Sequence, residues 1–264
     1  MNDKLLEFIQ LGSRLYKIIE ERDLAYQLAR KLLEGVDISE NELEQLKESI
    51  DDWFDYNREQ KDEIKTFVDT IKSSLENSEF SKKGAFLLIF LLAWNMNRFK
   101  DCSFTHSDLL EFAKKLNEKI NSLLEKYNDF YDKTICDLEW NNIKSFLSDL
   151  ENILRFRTKK KCFNFNSSRR LQKEWVGSFK IAHLLFPTIF IPLDNSIAEG
   201  LKIKEKRESW NVDGNYKPIW EKSKEIFGNY EDSDILKKLD EALYMIFSTT
   251  EKKKAKIKNL LNLS

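Results

Sequence analysis

At 264 residues, 41% apolar and 12% aromatic, the chain can bury a core that needs no disulfide or metal staple. Its 44 basic and 45 acidic residues cancel to a net charge of −1, so bulk charge argues neither for nor against nucleic acid, and any electrostatic case must come from local clustering. Three scattered cysteines (Cys102, Cys136, Cys162) and two histidines supply neither a disulfide framework nor a zinc site at any usual spacing, and the longest apolar run, Ala85–Trp94, is half of the roughly 20 residues a bilayer span requires.

The N-terminus turns at once into amphipathic sequence with no apolar signal core, which predicts a soluble, cytoplasmic protein with reduced thiols and no membrane partner. Residues 3–34 place Leu5, Leu6, Phe8, Ile9, Leu15, Ile18, Ile19, Leu28, Leu32 and Leu33 near helical spacing, with Gly35 as the C-cap. Ser39 and Glu42 carry a capping-box signature ahead of Leu43, Leu46 and Ile50. Another amphipathic segment covers 59–76, and Ser78–Lys83 reads as a connector. Residues 84–98 are apolar all round until Trp94, Asn95, Met96, Asn97 and Arg98, the pattern of a central buried helix.

Thr105 caps a predicted helix over 107–128, and Asp137 or Leu138 opens one to about 154. From Asn152 to Lys173 there is no acid, and the stretch reads as a loop or as a helix end followed by a loop. Two short helices flank a turn at Pro187–Pro192, and Gly214 and Pro218 precede helices near 218–227 and 233–247. No period-two alternation occurs, so the predicted class is all-α: a two-lobed helical domain, with an N-terminal lobe over 1–150 and a C-terminal lobe over 151–264.

Two regions concentrate chemistry. The acid-free stretch holds Arg155, Arg157, Lys159, Lys160, Lys161, Arg169, Arg170 and Lys173 interleaved with Phe156, Phe163 and Phe165, a pattern that neutralises phosphates and stacks on bases, or that forms a solvated loop whose aromatics return to the core. The second runs from Val176 to Ala198. Gly177 and Ser178 at an apparent helix start offer free N–H groups to a phosphate. Lys180 and His183 sit three apart on the following helix, where the histidine reads more simply as a core residue. Asp194 follows the apolar turn Phe190-Ile191-Pro192-Leu193, either as an N-cap or as a site carboxylate. Trp94 with Met96 makes a flat wall for a planar ligand or packs in the core.

The pattern V-G-x-x-K-x-x-H-L-L-x-P-x-x-F-x-P-x-D-x-x-I-A over Val176–Ala198 resembles a group of uncharacterised prokaryotic all-helical proteins and, through them, the helix-hairpin-helix base-excision DNA glycosylases. The resemblance implies a phosphate-gripping hairpin at Gly177 and Ser178, a lysine at Lys180 that in some members attacks the sugar, and a catalytic aspartate at Asp194. It implies a hydrolase of DNA repair or antiviral defence that flips a damaged or modified base out of double-stranded DNA and cuts its N-glycosidic bond without metal or cofactor. The base pocket would be lined by Trp94, Asn97, Arg98 and Trp175. The competing expectation is a non-catalytic helical DNA-binding or partner-binding protein of a defence or mobile-element module.

Overall fold

The computed structural model describes residues 3–20, 23–53, 58–77, 80–94, 104–154, 175–203, 210–227, 232 and 234–247. Within them the chain is helical, with no strand. The helices are α1 (Asp3–Ile19), α2 (Asp23–Leu33), α3 (Glu40–Trp53), α4 (Arg58–Ser73), α5 (Lys82–Trp94), α6 (His106–Lys126), α7 (Trp140–Ile153), α8 (Trp175–Leu185), α9 (Asn195–Gly200), α10 (Lys217–Phe227) and α11 (Ile235–Phe247). Short 3₁₀ turns occupy Asn128–Phe130 and Ile135–Asp137, and a π turn occupies Val212–Tyr216. Among the described residues no helix is long and apolar enough to cross a membrane.

Several boundaries follow from local chemistry. Gly35 adopts φ 73°, and the bonds Gly35 N–H to Leu32 O (3.2 Å) and Val36 N–H to Lys31 O (2.8 Å) close α2 in a Schellman motif. Ser39 and Glu42 exchange the two capping-box bonds, and Glu42 is held down to about 2, first by its bond from Lys31 and then by the Ser39 backbone. Thr105 and Asp108 cap α6 in the same way.

Two boundaries differ from the sequence reading. The helix predicted over 3–34 is two helices, because Asp23 supplies a first-turn carboxylate that favours a new N-terminus. Asp137 does not open α7. It completes a capping box with Thr134 that closes the Ile135–Asp137 turn, and α7 starts at Trp140.

The chain forms two compact units, each assembled from separated stretches. The first comprises Met1–Glu21, Asp129–Leu147 and Leu185–Ser264, and the second Arg22–Asn128 and Ser148–Leu184. They do not coincide with lobes divided at residue 150, because α1 packs against α11 and so joins the two ends of the sequence in one unit. At that seam a Cβ on Gly12 would lie 2.6 Å from the Ala242 Cβ, so the two helices approach as closely as glycine allows.

In the second unit α5 is the central element, with Gly84–Ala93 buried throughout and α2 and α6 packed against it. A Cβ on Gly84 would meet the Ala113 carbonyl oxygen at 1.9 Å, a backbone atom that cannot turn aside. Gly84→Ala is therefore expected to destabilise: overpacking costs about 1–3 kcal/mol and exceeds the ~1 kcal/mol gained in helix propensity. Urea unfolding would show this as a lower midpoint at unchanged slope.

Candidate functional site

The stretch Val176–Ala198 divides between the two units, with Val176–Leu184 in the second and Leu185–Ala198 in the first. In the first unit it forms a turn, Phe186–Leu193, that delivers Asp194. Ile189, Phe190, Ile191 and Leu193 are fully buried, and the rings of Phe186 and Phe190 pack with Phe130 and Phe146 at centroid separations of 5.0–6.4 Å. A buried turn exposes its backbone to no water, so each polar group needs a protein partner.

Those partners come from distant parts of the chain. Thr188 O accepts from Ile135 N–H (2.9 Å), and Thr188 Oγ1 donates to Lys133 O (3.0 Å). Trp220 Nε1 donates to Ile189 O at 3.0 Å. The Tyr216 hydroxyl accepts from Ile191 N–H (2.9 Å) and donates to Ile191 O (3.1 Å), and burial pushes this phenol well above its ordinary range.

Tyr216 is itself fixed by the π turn it ends. Asn211 N–H donates to Asn215 Oδ1 (2.7 Å), Asn215 Nδ2 donates to Ile203 O (2.6 Å), and Asn211 Oδ1 accepts from Gly214 N–H (3.2 Å). Asp213 accepts from Trp140 Nε1 (2.8 Å) and Lys144 (2.6 Å), and the lysine first and the indole second hold its carboxyl below the usual range. π turns are rare and concentrate at functional sites.

At the end of this framework Asp194 is half-buried, with extended backbone (φ −119°, ψ 174°). Its Oδ1 accepts from Ile197 N–H at 2.9 Å and so caps α9; among the described residues Oδ2 has no hydrogen bond. The exposed Asn195 beside it accepts from Trp210 Nε1 at 2.7 Å. α9 closes on Lys202, whose φ of 57° is left-handed, through Ile203 N–H to Ala198 O (3.1 Å). The carboxylate thus sits between two fully buried pairs, Ile191/Leu193 and Ile197/Ala198, on backbone secured from both sides.

The chain matches no family model, no curated protein and no solved structure.

The other predicted residues that the structure describes lie in the second unit. Gly177 and Ser178 fall inside the first turn of α8, not in a turn ahead of it, and both are buried. Left-handed backbone among the described residues is confined to Gly35 and Lys202, so Gly177 is an ordinary helical glycine. The described residues take up this helix at Trp175 and place Gly177 and Ser178 buried within it, where the sequence reading has an open turn.

Lys180 and Trp94, 86 positions apart in sequence, do meet: the buried ammonium lies 4.5 Å from the indole centroid. His183 is fully buried, stacked on Tyr26 (5.9 Å, 19°), with Nε2 3.1 Å from the Tyr26 hydroxyl. Phe90 continues this cluster, 6.0 Å from Tyr26 and 6.3 Å from Trp94. Arg30 donates to Leu184 O at 3.1 Å, placing a cation at the C-terminus of α8. Trp175 is half-buried and stacks on Phe179 at 6.2 Å.

Asn97, Arg98 and the cationic set Arg155, Arg157, Lys159, Lys160, Lys161, Arg169, Arg170 and Lys173 lie outside the described residues. Among the described residues no group of three or more His, Cys, Asp or Glu side chains is placed to hold a metal. Sequence reasoning missed Tyr216, Trp220, Asn215 and Trp210, the residues that build the surroundings of Asp194. Their only signal was the pair of breaks at Gly214 and Pro218.

Proposed function

We propose that this protein acts on DNA in the manner of a base-excision glycosylase, with Asp194 as the carboxylate that stabilises positive charge at C1′ of an extruded nucleotide. The observation that carries this reading is the framework around the Phe186–Leu193 turn, in which Tyr216, Trp220 and Thr188 hold the backbone leading to Asp194. An aspartate whose whole task is to cap a six-residue helix needs no such support. Electrostatic catalysis does need it, because a charge aids the transition state only when it is held in place before the reaction begins.

The step is a hydrolysis. Water attacks C1′ as the C1′–N bond breaks, the electron pair of that bond leaves with the base, the water's proton ends on the released base while its hydroxyl stays on C1′, and the sugar passes through an oxocarbenium-like state opposite the carboxylate. The bond is inaccessible inside the stack, so the nucleotide must be flipped out, at a cost of a few kcal/mol that protein contacts offset. Lys180 is buried against Trp94, and the proposal gives it no nucleophilic role. The cationic residues from Arg155 to Lys173 neutralise the DNA phosphates. Reversing the charges of Arg155, Arg157, Lys159, Lys160 and Lys161 is expected to lower DNA affinity and flatten its salt dependence by about 0.9 in log–log slope for each phosphate that the variant leaves unneutralised.

The deciding experiment is incubation of the full chain with genomic DNA carrying natural base modifications, followed by mass spectrometry of the released bases. Release of one modified base is the expected result. If no base is released from a broad panel of modified duplexes, the enzymatic reading fails. The reading left is then a non-catalytic helical binding protein, which is supported by the use of Asp194 Oδ1 as a cap and by the burial of Gly177, Ser178, Lys180 and His183.

A further inference from the structure

We draw no further inference here: the strongest candidate, the apolar surface groove of the first unit between α1, α10 and α11, is open and part-exposed, and nothing in the structure shows what covers it.

Discussion

Asp194→Asn is expected to reduce base release by at least about 100-fold while leaving the fold and its melting temperature unchanged. The two effects separate because the residue has two oxygens with different employment. Oδ1 accepts from Ile197 N–H, and an asparagine carbonyl caps a helix as well as an aspartate does. The negative charge is what the substitution removes, and loss of one preorganised electrostatic partner costs about two to three orders of magnitude in rate. Asp194→Ala removes the cap as well. It should lose about 1 kcal/mol of stability, a shift of roughly 2–4 °C for a chain of this size, in addition to the lost activity. An asparagine variant that releases bases at the wild-type rate would sink the catalytic role of Asp194. A catalytic loss that tracks the melting temperature across the two variants would reduce the residue to a cap.

The parts of the fold that were legible in the sequence are those decided within one turn of helix. Gly35, the Ser39/Glu42 pair and Thr105 each act on backbone groups three or four residues away, and each does in the structure what its residue type predicts. The all-round apolarity of α5 likewise determines its place, since such a helix has no face to give to water. The pairing of α1 with α11 was not legible. It depends on Gly12 meeting Ala242 and Ser13 meeting Glu241 across more than 220 positions, and no local pattern in either helix announces the other.

The site was half legible for the same reason. An apolar turn with two prolines ending in a carboxylate marks Asp194 from sequence alone, and the structure places it at the start of α9. Tyr216 and Trp220 read in sequence as aromatics beside Pro218, and only the folded chain turns the hydroxyl and the indole N–H onto Ile191 and Ile189. The place of Gly177 was not legible because glycine has two uses. Its missing side chain permits a left-handed turn, and it also permits burial in a helix; Gly177 lies buried in α8 without left-handed backbone.

The largest stability effect is expected from the pair Lys237 and Glu241. They lie one turn apart on α11, with Lys237 Nζ donating to Glu241 Oε1 at 2.9 Å and Ser13 Oγ donating to Glu241 Oε2 from α1. Glu241 is 1% exposed and Lys237 7%, and the ammonium lies 4.8 Å from the centre of the Tyr16 ring. Removing two charges from water is costly, and the pair offsets that cost only while both members are present. Lys237→Ala and Glu241→Ala should each lose about 3–5 kcal/mol, because each removes one side of a buried ion pair. The triple replacement Ser13→Ala, Lys237→Met, Glu241→Leu should lie near the wild type or up to a few kcal/mol above it, since apolar groups of similar volume carry no desolvation cost. Urea unfolding measures each variant, and adding the double Lys237→Ala, Glu241→Ala closes the cycle that gives the coupling energy. If the single losses are below about 1 kcal/mol, the charges are solvated and the seam is held by Gly12, Ala242 and the edge-on pair Tyr16–Tyr244 alone. If the triple variant is as unstable as the singles, the polar network is what sets the register of α1 on α11.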